Sequence, residues 1–162
     1  MILEPISSVE TGQINNFTCG NKDLDRFLKC YALENDNNGY GKTFLLLDEK
    51  EVAGFFTLCS TSIAFKDFPG ELSQNLPRYP IPCIKIARLA VSKSRQGIGI
   101  GKELLKQAFI KILNVSLTVG IRLIVVDAKE TSASFYEQYG FERLSTDSLS
   151  YYLPIDTLKK AI

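Results

Sequence analysis

The residues with the clearest chemical potential lie in "RLAVSKSRQGIGIGKELLKQAF", Arg88–Phe109, where Gly97, Gly99 and Gly101 alternate just ahead of a strongly amphipathic run. Glycine in a helix or strand costs about 0.5–1 kcal/mol relative to alanine, so a triplet implies a tight turn or a ligand that must reach bare backbone. A strand followed by such a turn and a helix N-terminus is a ready anion site. The first helical N–H groups have no intrahelical partner, the helix dipole adds positive potential, and absent side chains let a phosphate approach. Arg95 and Lys102 would add attraction. The pattern is Gln96-Gly97-Ile98-Gly99-Ile100-Gly101, or Q-x-x-G-x-G. It is neither the P-loop G-x-x-x-x-G-K-[ST] nor the dinucleotide G-x-G-x-x-G. The chain has no histidine, which removes Ser-His-Asp and Cys-His catalysis and His-containing zinc sites. Proton transfer is left to Asp, Glu, Tyr, Lys, Cys, water or the substrate.

Charge points to the same segment. Residues 85–130 carry 9 basic and 3 acidic side chains although the whole chain is only +1, which favours an anionic ligand there. Cys19, Cys30, Cys59 and Cys83 are scattered and read as reduced, structural thiols. No apolar run is long enough for a membrane span, and "MILEPISSVE" lacks a basic n-region, so a cytoplasmic location is expected. At 162 residues, one domain covering 1–162 is expected.

The elements that must position the glycines follow from periodicity. "NKDLDRFLKCYAL" is a helix with Asn21 at its cap. "KTFLLLDEKEVAGFFTLCSTSIAF" is a hairpin of two strands. A proline-rich loop leads to the strand "CIKIARLAV". After the glycines, Leu104, Leu105, Ala108, Phe109, Ile112 and Leu113 form one apolar stripe on a helix. "IRLIVVDA" reads as a strand covered on both faces, "SASFYEQYG" as a short helix stopped by Gly140, and "FERLSTDSLSYYLPI" as two closing strands. The order α-β-β-β-α-β-α-β-β implies an α/β or α+β domain with one mixed sheet.

The Q-x-x-G-x-G turn resembles the pyrophosphate-binding motif of the GNAT N-acetyltransferases. "RLAV" resembles the family strand that splays from its neighbour and pairs with pantetheine, and "SASFYEQYGF" resembles the A-x-x-F-Y-x-x-x-G-F segment. The resemblance implies a GNAT fold, with a mostly antiparallel mixed sheet, splayed central strands and flanking helices. It implies acetyl-CoA as cosubstrate and no metal. It implies that Leu89, Ala90 and Val91 hold the pantetheine, and that the segment Gln96, Gly97, Ile98, Gly99, Ile100, Gly101 and Lys102 holds the pyrophosphate. Ser132 and Phe135 would contact the cofactor, although Ser132 stands where many relatives have Asn. Tyr136 would protonate the departing thiolate; the alternative is that Phe135, Tyr136 and Tyr139 form only an aromatic packing face.

"FTCGNKDLDRFLKCYA", "YPIPCIKIARLAV" and "VVDAKETSASFYEQYGFERL…LSYYLPI" resemble the GNAT branch of bacterial toxin–antitoxin toxins. That branch implies acetylation of the α-amine of aminoacyl-tRNA, neutralisation by a ribbon-helix-helix antitoxin, and a possible homodimer. An α-amine suits a histidine-free enzyme, since about a tenth of it is neutral at pH 7, against under a thousandth of a lysine amine. Lys85, Arg88 and Arg78 are the cations with a chance of meeting RNA phosphate, the alternative being ordinary surface charge. The near-neutral chain is weakly charged for a tRNA binder. Small-molecule or protein amines therefore stay open as acceptors, as do a non-catalytic CoA-binding module and a DNA-bound repressor component acting through its antitoxin.

Overall fold

Among the described residues the chain forms seven strands: β1 (Ile2–Pro5), β2 (Lys42–Asp48), β3 (Glu51–Ile63), β4 (Ile81–Val91), β5 (Leu123–Asp127), β6 (Glu142–Arg143) and β7 (Ser150–Pro154). The computed structural model describes residues 1–70, 74 and 76–161; part of the proline-rich loop lies outside them. The strand order is β1-β2-β3-β4-β5-β7-β6. β4 and β5 pair in parallel, whereas β1–β2, β2–β3, β5–β7 and β6–β7 pair antiparallel. With its helices this is the mixed, mostly antiparallel α/β architecture expected. The chain forms two compact units, Met1–Cys59 with Ala87–Lys111 and Ser60–Ile86 with Ile112–Ile162.

The first unit begins with β1 and a short helix α1 (Thr11–Asn15). Asn21 then caps α2 (Lys22–Arg26), its Oδ1 accepting from the amides of Asp23 at 3.0 Å and Leu24 at 3.1 Å; these are two of the donors a helix start leaves open. A π turn over Phe27–Tyr31 follows, then α3 (Ala32–Asn37). The buried Asp36 carboxylate accepts from the Thr43 amide at 3.1 Å and the Lys42 ammonium at 3.2 Å. Phe17, Phe27, Leu28, Ala32, Leu45, Phe55 and Ala90 share one apolar cluster. α4 (Ile100–Ser116) starts in this unit. Leu104, Leu105, Ala108 and Ile112 of its stripe are fully buried.

In the second unit Leu123, Ile124, Val125 and Val126 of β5 are all buried, as an apolar run without alternation requires. Phe68, Ile81, Cys83, Leu123, Val125 and Tyr152 pack together. α5 (Ala133–Gln138) ends at Gly140, whose φ of 94° is the left-handed stop that glycine supplies. Every element read from the sequence is present. β1, α1 and α6 (Ile155–Lys160) were not expected. The first two are four and five residues long, too short for a period to register. α6 begins directly after Pro154 of β7, so its sequence runs on from the strand. All four cysteines are free. Among the described residues no helix is long and apolar enough to cross a membrane.

Candidate functional site

The glycine turn lies between the end of β4 and the start of α4. Gly97 and Gly99 have φ of 80° and 92°, a region that L side chains rarely adopt. Apart from each glycine's own chain neighbours, no atom of the described residues lies within 4 Å of where a Cβ would stand on either residue, so their absent side chains leave open space rather than a packed contact. Gln96, Gly97, Ile98 and Gly99 are exposed and Ile100 is buried. The amide of Glu103 bonds the Gly99 carbonyl at 3.1 Å, closing the first helical turn. The amides ahead of it on Ile100, Gly101 and Lys102 have no intrahelical acceptor and lie at the positive end of the dipole. A backbone-only cradle of this kind fits a pyrophosphate.

Several contacts fix the cradle to the unit that carries it. The Ser92 amide bonds the Ala53 carbonyl at 2.8 Å, and the Lys93 amide bonds the Thr18 carbonyl at 2.7 Å. Gln96 Nε2 donates to the carbonyls of Cys19 at 2.8 Å and Val91 at 3.1 Å. The Gln96 side chain is thus a strut between β4, the turn and the loop ahead of α2, which leaves its main chain for a ligand. Arg95 departs from expectation. Its guanidinium bonds Asp48 and, at 2.8 Å, Glu51, and these carboxylates raise its pKa. Its charge is largely neutralised in place, so it anchors the turn to the β2–β3 hairpin and adds little attraction for an anion. Lys102 is exposed and forms no ion pair among the described residues.

α4 reaches the sheet through a glycine that the sequence reading passed over. A Cβ on Gly54 would stand 2.6 Å from Leu104 Cδ1 and 2.7 Å from the Ala90 carbonyl oxygen. Only a glycine on β3 lets α4 lie this close to the strand segment Leu89–Val91. A glycine inside an apolar strand was the available signal. Beside the turn, Met1, Leu3 and Leu46 face Ile98, Ile100, Glu103 and Gln107 across an open hollow of about 390 Å³ with mixed polar and apolar walls. Leu3 of the unforeseen β1 is part of its far wall.

Leu89 and Val91 are half-buried and Ala90 is buried. The β4–β5 ladder runs over Cys83–Lys85 and Leu123–Val125, so Leu89–Val91 lie beyond its end and outside that pairing. Of the cations singled out from the sequence, Lys85 bonds Asp127 at 2.5 Å, and this bond lowers the Asp127 pKa. Arg78 is exposed. The Arg88 guanidinium carbon lies over the Phe27 ring, 3.5 Å from its centroid.

In the second unit, Tyr136 sits on α5 with its ring buried against Phe135 at 5.2 Å and Phe141 at 5.5 Å. The aromatic packing face therefore exists. The Tyr136 hydroxyl nevertheless forms no hydrogen bond among the described residues, and burial pushes its pKa up to about 12. A free phenol held in its protonated form can act as a donor. Its helix is tied to β7: Tyr151 Oη donates to Glu137 Oε1 at 2.6 Å and accepts from Arg143 Nε at 2.9 Å. Phe135 also packs on Tyr139 at 5.2 Å. Ser132 Oγ accepts from the Lys129 amide at 3.0 Å, so this hydroxyl closes the loop ahead of α5.

Known proteins share this fold. A model of the acetyltransferase (GNAT) domain matches residues 39–143. A Mycobacterium tuberculosis protein described as a tRNA-acetylating toxin is 35% identical over 86% of this chain and 84% of its own. A structure of AtaTR bound with AcCoA superposes with a TM-score of 0.84 at 26% identity, covering 99% of this chain and 96% of that one. A structure of AtaT complexed with acetyl-methionyl-tRNAfMet has the same fold, with a TM-score of 0.87 at 24% identity over 99% of this chain and 98% of that one. The turn without side chains, the elements around it and these matches agree: the chain belongs to the GNAT acetyltransferase family.

Proposed function

We propose that this chain, read as one acetyltransferase domain over 1–162, acetylates the α-amine of the amino acid on charged tRNA and acts as a translation-blocking toxin in the cytoplasm. The observation that carries the reading is the backbone-only turn at Gly97 and Gly99, open at both Cβ positions, in a chain 35% identical to a tRNA-acetylating toxin. Acetyl-CoA, when bound, supplies an acyl group activated as a thioester. The amides of Gln96–Lys102 take the diphosphate, and the main chain of Leu89–Val91 orients the arm that follows it. Placement alone can remove several kcal/mol of a bimolecular barrier.

In the transfer, the amine nitrogen bonds the carbonyl carbon and the C–S bond breaks. A phenol at about 12 is a weaker acid than an ordinary thiol near 8.5. Tyr136 therefore keeps its proton and donates a hydrogen bond to the departing sulfur, stabilising the developing thiolate. The amine nitrogen loses its surplus proton to water, and the released thiolate takes a proton from water. A neutral α-amine reaches this chemistry without a histidine base, because a usable fraction is already unprotonated.

An antitoxin of the ribbon-helix-helix class is the expected protein partner. The test is incubation of purified charged tRNAs with the protein and acetyl-CoA labelled in the acetyl group. Label on the aminoacyl group is the expected result. Label on polyamines or peptides, with none on any charged tRNA, would overturn the reading.

A further inference from the structure

We infer that Arg88 is an anion receptor on the helix-covered side of β4, and that its ligand is a phosphodiester of the single-stranded CCA end of the tRNA acceptor strand. The inference rests on the function proposed above for its choice of ligand. Its geometric basis is independent of that function and lies within one compact unit.

The cations of the basic segment are not equivalent. Lys85 is paired with Asp127, and Arg95 with Asp48 and Glu51. Arg88 has neither a carboxylate nor any hydrogen-bond acceptor among the described residues. One face of its guanidinium is covered by the Phe27 ring at 3.5 Å, and the side chain is half-buried. A guanidinium carries five N–H donors in a rigid plane. Stacking one face of that plane on an aromatic ring fixes its direction and leaves the donor edge for a ligand. Burial already lowers the Arg88 pKa, so an anion at that edge would relieve an unfavourable charge.

The chemistry of the acceptor selects the anion. The amino acid of a charged tRNA is an ester and has no free carboxylate, so the nearest negative groups to its α-amine are the phosphodiesters of the terminal nucleotides. Arg88 immediately precedes Leu89, the first of the residues proposed to orient the thioester arm. The segments leading to and holding Phe27 are also basic. Lys22 and Arg26 are four residues apart on α2, so they share one side of that helix, and Lys29 follows on the π turn. All three are exposed and form no ion pair among the described residues.

The experiment measures binding of a fluorescein-labelled single-stranded RNA ending in CCA, by anisotropy, across a series of salt concentrations. Wild type, R88Q, R88K and the control K85Q are compared. R88Q is expected to bind about ten-fold more weakly and to lose about 0.7 from the slope of log K against log salt, the value for one phosphate of a single strand. R88K is expected to keep the slope and bind several-fold more weakly, because it retains the charge and loses the fork. K85Q should match wild type. R88Q or R88K with wild-type affinity, or a wild-type protein that does not bind this RNA, would overturn the assignment. A protein that binds through Arg88 yet acetylates no charged tRNA would sink the proposed function and leave the receptor standing.

Discussion

Replacing Gly54 by alanine tests how α4, and with it the diphosphate cradle, is held to the sheet. The added Cβ would lie 2.6 Å from Leu104 Cδ1 and 2.7 Å from the Ala90 carbonyl oxygen, both closer than real Cβ contacts. Leu104 is fully buried at 0% exposure, so its side chain has nowhere to turn. Ala90 presents backbone, which can retreat only if β4 bends at Leu89–Val91. Overpacking of this kind costs about 1–3 kcal/mol. Alanine recovers about 0.5–1 kcal/mol of the entropy that glycine loses in a strand. Both contacts are under 3.0 Å and one is to backbone, which places the cost in the upper part of that range, so about 1–2.5 kcal/mol of destabilisation should remain, lowering Tm by about 2–10 °C for a chain of this size. Urea and thermal unfolding followed by circular dichroism read this directly. Gly12→Ala is the control, since that position in α1 has no atom within 4 Å and should be unchanged or stabilised by about 0.5–1 kcal/mol. α4 carries the turn, so Gly54→Ala should also raise KM for acetyl-CoA more than it lowers kcat. A Gly54→Ala protein as stable as wild type, with unchanged KM, would refute the claim that this glycine sets the approach of α4.

Two further outcomes are expected. Gly99→Ala places a Cβ at φ 92°, costs about 1–2 kcal/mol of backbone strain, and narrows the cradle; KM for acetyl-CoA should rise about ten-fold, and an unchanged KM would argue against the cradle. Tyr136→Phe should keep the fold and lower kcat by about 10²–10⁴-fold if the hydroxyl is the donor, whereas full turnover would reduce Tyr136 to packing. The same variant has a pH signature. The phenol's pKa is raised by burial from 10.0 to about 12, so its contribution is fully present below pH 10 and is lost as pH rises through 12. Wild type should lose a few kcal/mol, on the order of 3, across that window through this group, and alkaline unfolding of Tyr136→Phe should lack that component.

Local patterns made much of this protein legible. The 3.6-residue stripe from Leu104 to Ile112, the unbroken apolar run of β5 and the Asn21 cap each depend on residues within a turn or two of one another, so sequence alone specified them. The glycine turn is legible for the same reason: positive φ at Gly97 and Gly99 is a local demand that few other residues meet. β1 and α1 escaped notice because a segment of four or five residues is too short to show a period, and these two are held by pairing and packing. The role of Gly54 depends on an atom of Leu104 fifty residues away, and the difference between Arg88 and Arg95 depends on where Asp48, Glu51 and Phe27 come to rest. Sequence supplied the charges and the bare turn. Only the folded chain decided which charges are neutralised and which stay open, because pairing depends on distances that close when remote segments meet.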